Sequence, residues 1–76
     1  MKIFVKYLDD RIITVYTNPN ELIANLKKQI EKEFYLAPHY QRLIFRGVIL
    51  RDHTTINQNN IKNEDTLLLS LRLIGG

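Results

Sequence analysis

Residues 1–17 read MKIFVKYLDDRIITVYT, two alternating segments separated by a short aspartate-rich connection. In residues 1–7 and 11–17 the odd positions carry the side chains that we expect to face inward, such as Ile3 and Val15. A period of two residues is typical of a half-buried strand, and β-branched and aromatic residues favour strands. Aspartate tolerates turn conformations. The two segments are therefore predicted to form a β-hairpin.

A helical period follows the hairpin. Pro19 cannot donate to a strand ladder and Asn20 is a preferred helix N-cap residue, so a helix is expected to start near residue 21. Apolar residues recur at helical spacing up to residue 34, and Lys27 is expected on a polar face. Such an amphipathic helix would cover the inward face of the hairpin. Its apolar stripe consists of Ile23, Leu26, Ile30 and Phe34.

Three further strands are predicted over residues 41–45, 48–50 and 66–71. The polar segment before the last strand carries two isolated apolar residues, Ile56 and Ile61, which we expect to anchor it to the core. The predicted fold class is α+β: one mixed sheet of four to five strands with one helix packed across it, in the order strand-strand-helix-strand-strand-strand. Alternation places Leu43, Phe45, Leu67, Leu69 and Leu71 on the inward face.

The composition limits the possible functions. The 76 residues suit a single domain, and the absence of cysteine excludes a disulfide or a thiolate nucleophile. The net charge of +3 is spread along the chain without a dense basic stripe, so nucleic-acid binding is not expected. No signal peptide is visible and no apolar run could span a membrane. His39 and His53 fall in predicted loops, so we expect no metal, no cofactor and no enzymatic activity.

The element order, together with the ending LRLIGG at residues 71–76, resembles the ubiquitin family. The resemblance runs without a gap through all 76 positions, and its matches cluster in residues 3–6, 41–45 and 66–76. It implies a ubiquitin-like β-grasp domain over residues 1–71 and a flexible C-terminal conjugation tail over residues 72–76.

The resemblance also implies a protein modifier. In the family, an ATP-dependent activating enzyme adenylates the terminal glycine, here Gly76, and takes it as a thioester. Conjugating enzymes and ligases then pass it to a lysine amine of a target protein, forming an isopeptide bond that deconjugating proteases cleave. By resemblance Gly75 and Leu73 fit the enzyme channel, and Arg42 and Arg72 are recognised by the activating enzyme. A monomer in the cytoplasm and nucleus is expected.

An exposed apolar patch is the expected binding site for ubiquitin-binding domains. By strand parity Ile44 and Leu68 point outward on neighbouring strands, and Leu8 can join them from the first turn. Compared with ubiquitin, Leu68 replaces a histidine, Ser70 replaces a valine and Val48 replaces a lysine, so altered receptor affinity is predicted. Two secondary patches are expected, Phe4 with Ile12 and Leu36 with Leu71 and Leu73.

The lysines limit chain formation. Lys6 and Lys27 coincide with chain-forming lysines of ubiquitin, while its other chain-forming positions carry Arg11, Gln29, Glu33, Val48 and Asn63. The protein is therefore expected to cap chains or to sit singly on targets, unless Lys6 or the amino group of Met1 is used. At the predicted helix end, Tyr35 replaces a glycine, for which a positive φ is usual, so either a positive φ costing about 1 kcal/mol or more or a reorganised helix end is expected there.

Two other functions remain open at this stage. The chain could be an interaction domain that is never conjugated, because Ile74 replaces an arginine in the tail read by activating and cleaving enzymes. It could also be a sulfur carrier, since these β-grasp proteins end in Gly-Gly and carry a C-terminal thiocarboxylate.

Overall fold

The computed structural model of the protein describes residues 1–73, which form a five-stranded mixed sheet crossed by one α-helix. The strands lie in the spatial order β2-β1-β5-β3-β4, with β1 parallel to β5 and the other neighbours antiparallel. The predicted α+β fold and the predicted order of elements are confirmed. The elements are β1 (Lys2–Lys6), β2 (Ile12–Tyr16), α1 (Ile23–Phe34), β3 (Gln41–Phe45), β4 (Val48–Ile49) and β5 (Thr66–Leu71), with 3-10 turns at Pro38–Tyr40 and Asn57–Asn59.

The core lies between α1 and one face of the sheet. Ile56 and Ile61 are buried, which confirms that the polar segment is anchored at these two points. Leu71 was expected to face inward but is 39% exposed. It pairs with Gln41, whose buried amide group donates to the Leu36 carbonyl at this end of the core. The buried apolar residues are Ile3, Val5, Val15, Ile23, Leu26, Ile30, Leu43, Phe45, Leu50, Ile56, Ile61, Leu67 and Leu69.

The start of α1 is capped by a distant segment and not by a local side chain. The backbone N–H of Ile23 donates to the Thr54 carbonyl at 2.9 Å and that of Ala24 to the Asp52 carbonyl at 3.0 Å. These bonds satisfy two of the unpaired donors that every helix start presents. The predicted Asn20 cap is wrong, because the helix begins two residues after the predicted start and its N-cap residue makes no side-chain bond.

The end of α1 has the positive φ, one of the two expected outcomes. Tyr35 lies in the left-handed region, at φ 54° and ψ 38°, and its N–H donates to the Glu31 carbonyl at 2.8 Å. The side chain of Tyr35 is 92% exposed. The conformation therefore ends the helix with its usual hydrogen bond, while the tyrosine ring adds almost no packing.

Candidate functional site

A row of cross-strand partners runs over the whole sheet on the face opposite α1. Lys6 lies opposite Ile12 on one side and opposite Leu68 on the other, and Ile44 lies opposite Leu68 and then Ile49. Cross-strand partners point to the same side of a sheet. The row therefore reads Ile12, Lys6, Leu68, Ile44, Ile49, one residue from each strand, and we call it the open-face row. Its apolar members at the two edges and Leu68 are exposed.

Most of the predicted receptor patch lies together beside this row. Leu8, Ile44, Leu68 and Ser70 line one groove of about 190 Å³, in company with Lys6, Tyr7 and Leu69. Leu8 comes from the turn after β1, and the other three come from β3 and β5. Alternation predicted the outward direction of Ile44, Leu68 and Ser70, the pairing of β3 with β5 places these three side by side, and the turn adds Leu8.

Val48 does not join the other members of the predicted patch. It pairs with Phe45, whose side chain belongs to the core, and it lines a separate depression of about 210 Å³. Ile49, which the sequence analysis missed, lies directly opposite Ile44 and is 55% exposed. A hairpin turn of two residues, 46 and 47, places residue 45 opposite 48 and residue 44 opposite 49. The length of the turn was therefore enough to predict this register.

The secondary patches differ in how closely their members meet. Phe4 and Ile12 share the open face, but Phe4 lies opposite Thr14 while Ile12 lies opposite Lys6, so the two are diagonal neighbours. In the other patch Leu36 is half-buried, whereas Leu71 and Leu73 are exposed. Gln41 links Leu36 and Leu71, since it pairs with Leu71 and its side chain donates to the backbone carbonyl of Leu36.

The start of the predicted tail lies against the body. The N–H of Arg72 donates to the Tyr40 carbonyl at 2.6 Å, one residue beyond the end of β5. Arg72 and Arg42 line the same groove of about 400 Å³, so the two residues predicted for activating-enzyme recognition are brought together. Leu73 is exposed. Ile74, Gly75 and Gly76 lie outside the described residues, so the division at residue 71 and the role of the two glycines stay predictions.

The two candidate chain-forming lysines differ in accessibility. Lys6 is partly exposed, with its Nζ 3.5 Å from Asp10 Oδ1. The placement of Lys27 on a polar face is wrong: its side chain is 8% exposed and its Nζ lies 2.6 Å from Asp52 Oδ1. Lys27 lies four residues after Ile23 and three before Ile30, a spacing that puts it on the buried stripe. Burial and the ion pair therefore hinder acylation of its amine in the folded chain.

In the described residues, Asp9 has a clearly lowered pKa. The contacts that lower it hold the turn after β1 in place. Desolvation alone would raise the pKa of Asp9, but hydrogen bonds from the Arg11 backbone and guanidinium, and the guanidinium charge, lower it below its usual value. The Arg11 Nε lies 2.6 Å from Asp9 Oδ2. The guanidinium carbon lies 4.8 Å from the ring centroid of Phe34, and the Tyr7 ring packs 5.1 Å from that same ring. Together these contacts hold the turn after β1 against the end of α1.

Within residues 1–73, no three His, Asp or Glu side chains come together in a way that could hold a metal ion. The helix found in this part of the chain is too short and too polar to cross a membrane.

Comparison with known proteins gives a family over nearly the whole chain. The family model described as "Ubiquitin family" matches residues 3–74. A NEDD8-like protein RUB3 of Arabidopsis thaliana is 32% identical over 76 residues, which is all of this chain and 97% of the relative. The ubiquitin-like protein NEDD8 of Dictyostelium discoideum is 33% identical over all of this chain and 99% of its own length. A UV excision repair protein RAD23 homolog of Dictyostelium discoideum is 28% identical over 72 residues, 95% of this chain but 21% of the relative. The chain belongs to the ubiquitin family.

Proposed function

We propose that this protein is a ubiquitin-like modifier that is conjugated through the carboxylate of Gly76 to lysine amines of other proteins. The observation that carries the proposal is the full-length match to NEDD8-like proteins of almost the same length. An ending of Gly75-Gly76 supports it, because glycine without a Cβ lets the backbone approach a catalytic cysteine or a target amine closely.

The chemistry is activation of a carboxylate followed by three acyl transfers. ATP converts the Gly76 carboxylate to an acyl adenylate with release of pyrophosphate. A cysteine thiolate of the activating enzyme attacks the acyl carbon and AMP leaves, and a conjugating enzyme takes over the thioester. The lysine amine of the target then attacks, the thiol leaves, and an isopeptide bond remains. In this scheme the chain supplies the acyl group and recognition surfaces, while its partner enzymes supply the catalytic residues.

Recognition by the activating enzyme is assigned to Arg42 and Arg72 with Leu73 beside them. The two arginines line one groove near the end of β5, and Leu73, the residue after Arg72, is exposed. A guanidinium forms two parallel hydrogen bonds with a carboxylate, a geometry that lysine or a neutral residue cannot reproduce. By resemblance, Arg72 favours the activating enzyme of ubiquitin over that of its relatives with a neutral residue here.

Receptor domains are proposed to bind the open-face row and the groove beside it. Leu68 and Ile44 sit in the middle of the row, and Ile49 extends its apolar surface to the edge strand β4. Exposed apolar side chains that are contiguous mark an interaction surface more strongly than the same number scattered singly. Because Leu68 and Ser70 stand where ubiquitin has a histidine and a valine, receptors that rely on those residues are expected to bind with altered affinity.

The conjugate is proposed to be single or to end a chain. Lys27 is buried and paired with Asp52, which leaves Lys6 as the candidate that coincides with a chain-forming lysine of ubiquitin. We place the protein in the cytoplasm and nucleus as a monomer, where the enzymes of this pathway act.

A charging assay tests the proposal. The protein is incubated with ATP, the activating enzyme of ubiquitin and a conjugating enzyme, and a thioester that disappears on adding thiol is sought by gel and by mass. A variant lacking Gly76 should give no thioester, and Arg72→Ala should charge more slowly with this enzyme while keeping its folded stability. Absence of a thioester with the activating enzymes of both ubiquitin and NEDD8 would overturn the proposal.

A second candidate is an interaction domain that is never conjugated. It is favoured by the RAD23 homolog, in which the matching segment forms 21% of a much longer protein. In the same assay this candidate predicts no thioester but retained receptor binding at the open-face row. A sulfur carrier would instead show the mass gain of a C-terminal thiocarboxylate when supplied with a sulfur-transfer enzyme.

A further inference from the structure

One groove of the described chain is lined by three arginines from separate parts of the sequence. Arg42 comes from β3, Arg51 follows β4, and Arg72 follows β5. The groove measures about 400 Å³, and Ile49 and Leu50 contribute apolar side chains to its lining. We call it the arginine groove. Two of its arginines were predicted for activating-enzyme recognition, whereas Arg51 has no role so far.

The arginine groove carries a local excess of positive charge. The ion pairs found within residues 1–73 join Lys2 to Glu64, Lys6 to Asp10, Arg11 to Asp9 and Lys27 to Asp52, and none of these includes an arginine of the groove. Asp52 also lines the groove, but its Oδ1 lies 2.6 Å from the ammonium of Lys27. Asp52 and Lys27 therefore neutralise each other, and three guanidinium charges remain.

The chemistry of the lining favours an acidic protein segment as the occupant. A guanidinium binds a carboxylate through two parallel hydrogen bonds, so three of them suit a segment with several aspartates or glutamates. Single-stranded nucleic acid is bound by basic grooves that also offer aromatic rings for base stacking. Among the described residues, the lining of this groove contains no Phe, Tyr or Trp; His53 supplies its one ring, and Ile49 adds an aliphatic side chain.

We propose that Arg42, Arg51 and Arg72 together bind an acidic segment of a partner protein that places an apolar side chain against Ile49. Arg51 is the specificity-determining residue of this site, since it turns a pair of arginines into a three-point anchor. The binding involves no covalent step, so it goes beyond the conjugation proposed above and holds whether or not Gly76 is ever activated.

A peptide-binding measurement tests the inference. The probe is a fluorescein-labelled peptide with four glutamates and two leucines, and its partner probe has glutamine in place of every glutamate. Fluorescence anisotropy is recorded with the full chain. We expect the glutamate peptide to bind, the glutamine peptide to bind far more weakly, and the affinity to fall as salt screens the charges. Arg51→Gln should weaken binding about two- to fivefold, the range measured for single exposed ion pairs.

The matched control is Lys28→Gln, which removes the same charge from an exposed helix position outside the arginine groove. It should change the affinity less than twofold. Equal losses for Arg51→Gln and Lys28→Gln would overturn the site, because they would indicate attraction by net charge alone. Failure of the glutamate peptide to bind, or tighter binding of a labelled oligothymidine, would also overturn it. A variant lacking Gly75 and Gly76 cannot be conjugated but should bind the peptide unchanged, which separates this inference from the proposed function.

Discussion

The end of α1 allows a direct test of backbone strain in this fold. Tyr35 sits at φ 54° and ψ 38°, a region in which an L-residue costs about 1–2 kcal/mol and glycine costs nothing. Glycine also gives the unfolded chain more freedom, which opposes the gain by about 0.4–1 kcal/mol. Because the side chain is 92% exposed, it has almost no packing to lose. Tyr35→Gly is therefore expected to raise the free energy of unfolding by about 0.5–1 kcal/mol.

Urea denaturation followed by circular dichroism measures this free energy, and a thermal scan gives a second reading. For a domain of this size the gain corresponds to a rise in Tm of about 2–8 °C. The matched control is Tyr35→Ala, which removes the ring but keeps the Cβ that causes the strain. It should stay within about 0.5 kcal/mol of the parent protein, as most exposed substitutions do.

Two results would refute this reasoning. If Tyr35→Ala stabilised the protein as much as Tyr35→Gly, the tyrosine ring and not the positive φ would be the source of the cost. If Tyr35→Gly left the stability unchanged or lowered it, either the left-handed conformation would not be strained or the ring would make a stabilising contact that outweighs the strain.

Three more predictions concern the side chains of Ile49, Lys27 and Asp9. Full burial of an isoleucine yields about 1.5–3 kcal/mol, so Ile49, with 55% of its surface exposed, has about 0.8–1.6 kcal/mol left to gain on binding. Ile49→Gln should therefore weaken the binding of a receptor domain to the open-face row about 4- to 15-fold, as measured by isothermal titration calorimetry, and Val48→Gln should weaken it less than twofold. The reverse order would contradict the register argument. In peptide mapping after treatment with an acetylating reagent, Lys27 should react about tenfold more slowly than exposed Lys32, because its amine is reached only through local opening; equal rates would contradict its burial. The pKa of Asp9 is lowered in the folded protein, so its stabilising contacts are fully present above the ordinary value of about 3.9 and are lost as the pH falls through the folded-state pKa. Asp9→Asn should therefore destabilise the protein more at pH 7 than at pH 2, and equal losses at both pH values would contradict this.

The strands, the helix and their faces followed from local patterns. A period of two predicted β1, β2, β3 and β5, and helical spacing predicted α1, because these patterns depend on neighbours a few residues apart. The outward direction of Ile44 and Leu68 followed from the same alternation. The register of β4 was open to the same kind of reasoning, since its turn has two residues, and the error at Val48 came from extending the patch by family position alone.

The helix start shows where local reasoning ended. Asn20 had the side chain of a good cap, but the carbonyls of Asp52 and Thr54 arrive at the helix start from another part of the chain and bond to its free N–H groups. Lys27 is a similar case. Its spacing put it on the buried stripe, but Asp52, 25 residues away, supplies the charge that makes a buried ammonium tolerable there.

By itself the sequence determined the type and order of the elements and most of the residues that each one buries. Only the tertiary structure decided that Arg42, Arg51 and Arg72 line one groove, that Leu68 lies between Lys6 and Ile44 in the open-face row, and that Lys27 is paired with Asp52. The physical reason is the separation along the sequence between the residues that act on each other. Backbone periodicity and side-chain polarity act between close neighbours in sequence, whereas these three arrangements depend on how β5 inserts between β1 and β3 and on where the loops then pass.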